Sequence, residues 1–271
     1  MQIDCLDDRS LVRISGNDAE HFLENLVTCD VVNMSPGLAR FGALLTPQGK
    51  ILYDFFLVRT ENTYLIDIQS LQAAEIAKRL MFYRLRAKVD ISAAEESGIS
   101  IHSAQPEARS GLVFQDPRHP EMGYRKYGPK LDDQSTGNYS NLRVSHNIPE
   151  GGKDFTYGDA YPHETLMDQF GGVDFKKGCY VGQEVVSRMQ HRGTAKKRII
   201  GISAEESLPA TGTPILSDGK PAGQVGTVVG TSGLALLRLD RVKRANELVA
   251  GVVPISAGLP DWVSFSWPEG K

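Results

Sequence analysis

Helical periodicity disappears from this chain after Arg198. From there to the end, short apolar runs alternate with turn signals such as Asp218-Gly219 and Thr231-Ser232-Gly233. Short strands separated by glycine-rich turns are typical of small β-barrels and sandwiches. We therefore predict two parts in the 271-residue chain: a mixed region over residues 1–199 and a small β domain over residues 200–271.

Strands and helices alternate in the first part. Alternating apolar and polar residues predict strands over residues 10–15, 38–45, 51–59 and 63–68. The turn Thr46-Pro47-Gln48-Gly49-Lys50 suits a hairpin, so we expect the last three of these strands to form an antiparallel meander. Helical spacing predicts a helix over residues 70–84 with one buried stripe. The stripe consists of Ala73, Ile76, Ala77, Leu80 and Met81.

The middle of the chain is rich in proline, glycine and charge. Between residues 105 and 137 this composition predicts mainly loops. We expect a helix over residues 138–146 and another that begins at Pro162, because proline is favoured in the first turn of a helix.

Composition and charge argue against several classes of protein. The 30 basic and 33 acidic residues give a net charge of −3, so a broad electrostatic grip on nucleic acid is not expected. No apolar stretch is long enough to span a bilayer, so a membrane partner is not expected either. The three cysteines, Cys5, Cys29 and Cys179, are widely spaced and odd in number, unlike a disulfide framework. The acidic N-terminus resembles neither a secretory signal nor a transit peptide. These features predict a cytoplasmic protein.

The most distinctive segment is Lys177-Gly178-Cys179-Tyr180-Val181-Gly182-Gln183-Glu184. Its glycines, and the apolar periodicity after it, predict a tight loop that enters a helix. A cysteine near a helix N-terminus, with Lys176 and Lys177 beside it, is expected to ionise more easily than a free cysteine. The alternative is a plain helix start in which Cys179 is a small buried residue. No second Cys or His lies at the spacing of a zinc site.

This segment matches, at every fixed position, the K-G-C-Y/F-x-G-Q-E signature of the YgfZ-type proteins, which are relatives of the glycine-cleavage T-protein. The chain resembles that family over nearly its whole length. Further matching segments are Gly16-Asn17-Asp18-Ala19, residues 45–51, residues 83–89, His191-Arg192-Gly193 and Gly223-Gln224-Val225-Gly226.

The resemblance implies an α+β fold of the aminomethyltransferase type, in which lobes surround a central folate channel and a small β-barrel forms the C-terminal part. It implies tetrahydrofolate or a related reduced folate as the ligand. Mitochondrial members of the family act in iron–sulfur cluster assembly. The resemblance therefore also implies a role in making or repairing iron–sulfur enzymes, including tRNA-modifying ones, with client or assembly proteins as partners.

A folate has a flat polar pterin and an anionic tail, so its site needs an apolar slot, directed hydrogen bonds and a cation. The candidate folate contacts are Gln48, Lys50, Tyr53, Arg125, Arg143 and Glu184. The first three belong to the predicted hairpin, the arginines suit the tail carboxylates, and the glutamate suits pterin N–H groups. Each also has an ordinary structural explanation as a solvated charge or a packed ring.

The strand that ends Leu65-Ile66-Asp67-Ile68-Gln69 departs from the wider family. Aminomethyl-transferring relatives carry Asn-Ala there and an aspartate shortly afterwards, and neither Asp67 nor Glu75 matches that aspartate. This argues against glycine-cleavage activity and makes Cys179 the candidate reactive group. Two alternatives stay open: a tetrahydrofolate-dependent aminomethyltransferase or demethylase acting on a small amine, and a binding module without chemistry.

Basic residues recur between Arg188 and Arg198. They fit an acidic partner, a polyglutamate tail or RNA, or else a solvated helix end, where cations suit the helix dipole. The segment lacks interleaved aromatic residues, which makes contact with nucleic acid the least favoured of these.

Overall fold

The computed structural model describes residues 3–94, 98–107, 111–129, 137–193 and 195–268. Contacts divide the chain into two compact units. The first unit comprises Met1–Tyr139 and Phe170–Gln183, and the second comprises Ser140–Gln169 and Glu184–Lys271. The second unit thus combines the C-terminal strands with earlier segments of the chain. The division after residue 199 stays a prediction.

Strands and helices alternate through the first unit. Its strands are β1 (Ile3–Cys5), β2 (Arg9–Ser15), β3 (Ala39–Leu45), β4 (Ile51–Arg59), β5 (Thr63–Gln69), β6 (Asp90–Ala93), β7 (Gly98–His102), β8 (Leu112–Gln115) and β9 (Tyr124–Gly128). Its helices are α1 (Ala19–Glu24) and α2 (Ser70–Arg84), and a short 3-10 helix covers Pro120–Met122.

Five strands of the first unit form an antiparallel sheet in the order β3-β4-β5-β2-β6. The predicted meander is confirmed, because β3 pairs with β4 and β4 with β5. The core of this unit includes Ile14, Phe55 and Ile66, all fully buried. This sheet carries the hairpin turn on which the candidate site depends.

Helix α2 packs on this sheet with one face. Ile76 and Leu80 are fully buried, as predicted, and Ala73 and Ala77 pack against the same core. Met81 was wrongly placed in the stripe, since it is 50% exposed. It follows Leu80 directly and is therefore rotated by about 100° around the helix axis, away from the core.

Four further strands form an antiparallel sheet in the order β1-β7-β9-β8. The prediction of loops over residues 105–137 is wrong for β8 and β9, and residues 108–110 and 130–136 lie outside the described part. In β9 the buried residues are Arg125 and Tyr127. A strand that turns an arginine inward shows no apolar alternation, so the sequence pattern did not reveal it.

Buried charges link the two sheets of the first unit. Asp67 of β5 accepts hydrogen bonds from Arg125 Nη1 at 2.6 Å and from the Tyr127 hydroxyl at 2.9 Å. Arg9 of β2 pairs with the same carboxylate and donates to the Asp67 carbonyl at 2.8 Å. Burial and the Asp67 carboxylate raise the pKa of Tyr127, which keeps its phenol protonated as a donor.

Strands dominate the second unit. They are β10 (Lys197–Ser203), β11 (Pro214–Ser217), β12 (Lys220–Val229), β13 (Ser232–Arg238), β14 (Leu248–Ala250), β15 (Val253–Pro254) and β16 (Ser256–Gly258). The helices α3 (Tyr139–Ser145), α4 (Gln183–Arg192) and α5 (Leu239–Val242) complete the described elements. The strands form one sheet in the order β15-β14-β11-β12-β13-β10-β16, with Ile200, Ile215 and Leu237 in its core. The predicted all-β C-terminal part is confirmed.

The helix predicted from Pro162 is wrong, because the chain forms successive turns there. The Thr165 hydroxyl donates to the Pro162 carbonyl at 3.1 Å, and Leu166 has a φ of +64°. The His163 carbonyl accepts a hydrogen bond from Arg198 Nη1 at 2.7 Å. The Leu166 N–H also reaches back three residues to the His163 carbonyl, at 3.3 Å, so the backbone there bonds as a turn and not as an α-helix.

The buried imidazole of His163 predicts a pH dependence of stability in the second unit. Its Nε2 lies 2.9 Å from Gln190 Oε1, and burial lowers its pKa below the ordinary value. The unfolded chain therefore takes up a proton near pH 6.5 that the folded unit does not, so stability falls as the pH drops below that value. Urea unfolding followed by Trp262 and Trp267 fluorescence should show this loss between about pH 7.5 and 5.5.

His163→Gln should flatten the pH dependence, whereas His191→Gln, which replaces an exposed histidine, should leave it as in the wild type. Equal slopes for the wild type and His163→Gln would contradict the prediction.

Candidate functional site

The cysteine loop, defined as residues 177–182, is held in the first unit by a capped turn that precedes it. Asp174 Oδ1 accepts hydrogen bonds from the backbone N–H groups of Lys176, at 2.7 Å, and Lys177, at 3.0 Å. The Asp174 N–H donates to the Thr28 carbonyl at 2.9 Å. The turn therefore attaches the start of the cysteine loop to the core of the first unit.

Lys177 points into the first unit. Its side chain is 2% exposed, and its Nζ donates to the carbonyls of Val27 at 2.9 Å and Cys29 at 2.7 Å. The same ammonium forms an ion pair with Glu24 at 3.3 Å. Its charge is thus matched internally, which corrects the expectation that Lys177 lies beside the Cys179 thiol and activates it.

Tyr180 is also buried, at 6% exposure, and its ring lies 5.6 Å from the Lys177 ammonium. Burial, together with the charge of Asp174, raises the pKa of Tyr180, so the hydroxyl stays protonated. Among the described residues this buried hydroxyl has no hydrogen-bond partner. A buried polar group without a partner costs about 1–3 kcal/mol, and a polar ligand that bonded it would relieve that cost.

Gly182 brings the cysteine loop onto the hairpin turn between β3 and β4. It has a φ of +83°, and a Cβ at this position would lie 2.5 Å from the Thr46 carbonyl oxygen and 3.0 Å from Gly49 Cα. Only glycine permits this approach. The two segments that the sequence proposed separately, the cysteine loop and the hairpin turn, therefore meet within the first unit.

Cys179 stands in contrast to its anchored neighbours. It is an exposed free cysteine, and Gly178 before it has open space where a side chain would project. Cys29, in the same unit, is fully buried, and burial raises the pKa of its thiol to about 12. The alternative in which Cys179 is a small buried residue is therefore wrong, and Cys179 is the accessible thiol of this loop.

The end of the motif enters α4, as predicted. The Gln183 N–H donates to the Tyr180 carbonyl at 3.3 Å, and its side-chain amide donates to the Gly178 carbonyl at 3.4 Å. Glu184 lies in the first turn of α4, where it is exposed and forms an ion pair with Arg188. Its contact with a pterin stays a prediction.

The hairpin turn is closed by hydrogen bonds. The Thr46 N–H donates to the Lys50 carbonyl and the Gly49 N–H to the Thr46 carbonyl, both at 2.8 Å. Gln48 is exposed at the tip, Lys50 is partly exposed, and Tyr53 on β4 packs in part against the core. An amide, a cation and an aromatic ring thus lie on or next to the segment that Gly182 contacts.

Arg125 and Arg143 are placed differently from the hairpin residues. Both side chains are fully buried. Arg125 pairs with Asp67, and its Nε lies 3.5 Å from Asp116. Arg143, in the second unit, pairs with Asp154 at 2.8 Å and Glu150 at 3.0 Å.

Each of the two guanidinium groups has two carboxylates beside it. These carboxylates balance the positive charges of Arg125 and Arg143 without a ligand. The structure therefore gives no support to the prediction that the two arginines bind the carboxylates of a folate tail.

The sequence did not reveal that Lys177 and Tyr180 turn inward. Lysine is seldom fully buried, and nothing in the local pattern marks the carbonyls of Val27 and Cys29 as its partners. The one local sign that Lys177 has a special place is that it occupies a fixed position of the motif, directly before Gly178. The resulting loop has fixed neighbours and one accessible thiol, which can act as a nucleophile, exchange with another thiol or ligate a soft metal.

Within the described ranges, no three His, Cys, Asp or Glu side chains come together as a metal site. The described helices include none with the length and apolarity needed to cross a bilayer.

Comparisons with known proteins match both ends of the chain. Residues 8–113 match the model of the GCVT N-terminal domain, and residues 196–265 match the CAF17 C-terminal beta-barrel domain. The crystal structure of the glycine cleavage system aminomethyltransferase T from Bartonella henselae superimposes with a TM-score of 0.78. The two sequences are 15% identical, and the superposition covers 99% of this chain and 88% of the Bartonella henselae chain. The predicted aminomethyltransferase-like fold with a C-terminal barrel is confirmed.

Relatives similar over most of the sequence have a common name. The human iron–sulfur cluster assembly factor IBA57, mitochondrial, is 30% identical over 97% of this chain and 84% of its own length. The mouse protein is 31% identical, again over 97% of this chain and 84% of its own length. The Pyricularia oryzae homolog is 29% identical over 87% of this chain and 71% of its own length. All three names include the word mitochondrial, which contradicts the prediction of a cytoplasmic protein. This chain belongs to the IBA57 family of glycine-cleavage T-protein-like proteins.

Proposed function

We propose that this protein is an accessory factor of the YgfZ type that binds a reduced folate and serves the assembly or repair of iron–sulfur enzymes. The curated relatives are named iron–sulfur cluster assembly factors, which supports the assembly role. The observation that carries the proposal is the exposed thiol of Cys179 on a loop whose neighbouring side chains are anchored. The client enzymes include those that modify tRNA.

The thiol suits iron chemistry because thiolates are the usual ligands of iron–sulfur clusters. Cys179 supplies one ligand and loses its proton on binding iron. A cluster takes several thiolates, so the remaining ligands come from a client protein, an assembly protein or a small thiol. Lys177 and Gly182 fix the loop, so the sulfur is presented at a constant position with little ordering cost.

The folate part of the proposal rests on the junction of the hairpin turn and the cysteine loop in the first unit. Tetrahydrofolate is the favoured form of the ligand. The buried Tyr180 hydroxyl without a partner is the kind of group that a pterin N–H or carbonyl satisfies. Gln48 and Lys50 supply an amide and a cation, and Tyr53 supplies an aromatic face. These residues fit a reduced folate in type.

A tetrahydrofolate-dependent aminomethyltransferase or demethylase is the second candidate, supported by the fold it shares with the Bartonella henselae enzyme. Asp67 does not serve that chemistry, because its carboxylate already pairs with Arg9 and Arg125 and accepts a bond from Tyr127. Incubation with tetrahydrofolate and a panel of small methylamines, followed by assay for methylene-folate, separates the two candidates. Turnover would favour the second one.

Tyr180→Phe tests the folate site. Removing a buried hydroxyl that has no partner should leave the free protein as stable as the wild type or more stable by roughly 1 kcal/mol. Calorimetric titration with tetrahydrofolate should nevertheless show an affinity about tenfold lower, because the ligand loses a hydrogen bond of about 1.4 kcal/mol. Cys179→Ala should bind folate like the wild type.

Lys50→Ala should also weaken tetrahydrofolate binding, because it removes the cation of the hairpin turn. Lys220→Ala, which replaces an exposed lysine of the second unit, is its matched control. An unchanged affinity in both Tyr180→Phe and Lys50→Ala would remove the folate site from this junction. Folinic acid, which carries a formyl group on N5 of the same reduced ring, is titrated alongside tetrahydrofolate to show whether the site accepts a substituent at that nitrogen.

Cys179→Ser tests the assembly role. In a host that lacks its own homologue, the wild-type protein should restore the activities of iron–sulfur enzymes and of cluster-dependent tRNA modification. Cys179→Ser should lose most of this rescue, because a hydroxyl is a much poorer ligand for iron and a poorer nucleophile than a thiolate. Cys5→Ser is the control for a thiol elsewhere in the same unit. Full rescue by Cys179→Ser, at equal protein level, would refute the role of the sulfur.

A further inference from the structure

The outward face of α2 carries large apolar side chains that touch little of the protein. Leu71 is 95% exposed, Phe82 is 75% exposed, and Leu85, immediately after the helix, is 88% exposed. Met81 on the same face is 50% exposed. The opposite face holds Ile76 and Leu80 and packs on the core, so α2 is apolar on two sides although only one is covered.

The spacing of the uncovered residues is regular. Starting from Leu71, steps of three and four residues lead to Ala74, Lys78, Met81 and Leu85. The first four of these residues form one narrow stripe along α2, the pattern by which two helices pack side by side, and Leu85 lies just beyond the end of the helix at Arg84. Four of the five positions are apolar, and Lys78 occupies the middle one.

Cations surround the stripe. Lys78, Arg79, Arg84, Arg86 and Lys88 are all exposed, and Glu75 is the one acidic residue of α2. In the described part of the chain, none of these five side chains lies within ion-pair distance of a carboxylate. Elsewhere in the first unit most arginines are paired. The positive charge of this surface is therefore available to a partner.

Local contacts constrain the Phe82 ring and the backbone of Leu85. The Phe82 ring packs edge-on against Tyr83, with 5.9 Å between the ring centroids. Leu85 has a φ of +46°, a region that residues other than glycine rarely adopt. The turn that imposes it is closed by the Ala87 N–H, which donates to the Arg84 carbonyl at 2.8 Å. The fold thus keeps an exposed leucine in an unfavourable backbone conformation.

From this face we infer that α2 binds an amphipathic helix of a partner protein, one with an apolar stripe flanked by carboxylates. Phe82 and Leu85, the large exposed apolar side chains at the end of α2, serve as anchors, and the cations without a carboxylate partner select acidic flanks. A membrane surface fits less well, because Lys78 and Glu75 interrupt the middle of the face that would enter the lipid. The inference rests on α2 and on the residues that follow it as far as Lys88, and it holds whether or not the folate proposal does.

The test uses the full chain with a photo-cross-linking amino acid in place of Phe82, illuminated in cells, followed by sequencing of the attached peptide. The expected adduct is a protein segment with apolar residues three and four apart and Asp or Glu beside them. A chain with the cross-linker in place of Val252, which is 92% exposed on the second unit, is the control. Adducts only with phospholipid, only with another copy of this chain, or equally from position 252 would overturn the inference.

The purified partner should then bind the wild-type protein in a salt-sensitive manner. Phe82→Ser with Leu85→Ser, and separately Arg84→Glu with Arg86→Glu, should each lower its affinity at least about tenfold, whereas Val252→Ser should not. Circular dichroism should be unchanged, since all these side chains are exposed. Folate titration of the same variants should give the wild-type affinity, which separates this surface from the folate site. Affinity for the partner equal to that of the wild type in both double variants would refute the inference.

Discussion

The Lys177 ammonium lies inside the first unit, and the geometry of the candidate site depends on it. It bonds two backbone carbonyls of the segment that follows α1 and pairs with Glu24 of that helix. Hydrogen bonds to a charged group contribute about 1.5–3 kcal/mol each, so this one side chain ties the cysteine loop firmly to the core. Because Lys177 points inward and Gly182 rests on the hairpin turn, Cys179 between them is left outside. The exposure of the thiol is thus a consequence of how its neighbours are buried.

Internal charge is a general feature of the first unit. Asp67 joins Arg9, Arg125 and Tyr127, and this cluster holds one sheet against the other. Breaking such a group costs several kcal/mol, since it leaves a charge buried without a partner. Arg125, which the sequence suggested as a ligand contact, is here part of this framework. The uncovered cations of α2 lack such carboxylate partners, which is why they point to another molecule.

Local patterns in the sequence predicted much of the architecture. The meander, α2, the entry into α4 and the all-β C-terminal part follow from apolar periodicity and from turn residues, and the structure contains them. The predictions that failed involve side chains whose partners are distant in sequence. Arg125 hides β9 from the sequence pattern because it occupies the position of an apolar core residue. Arg198, distant in sequence, bonds the His163 carbonyl within the turns that stand in place of the helix expected from Pro162. The cysteine motif identified the loop, but the inward direction of Lys177 depends on residues about 150 positions earlier.

The central claim is that function depends on a thiol held in position, and Lys177→Met tests it most directly. This variant keeps Cys179 and a side chain of similar length but removes the charge that anchors the loop. In a host without its own homologue, compared at equal levels of folded protein, we predict that it rescues iron–sulfur enzymes poorly although maleimide still labels Cys179. Hydrogen exchange of residues 177–182 should be faster than in the wild type. Rescue equal to that of the wild type, with the loop demonstrably released, would contradict the account.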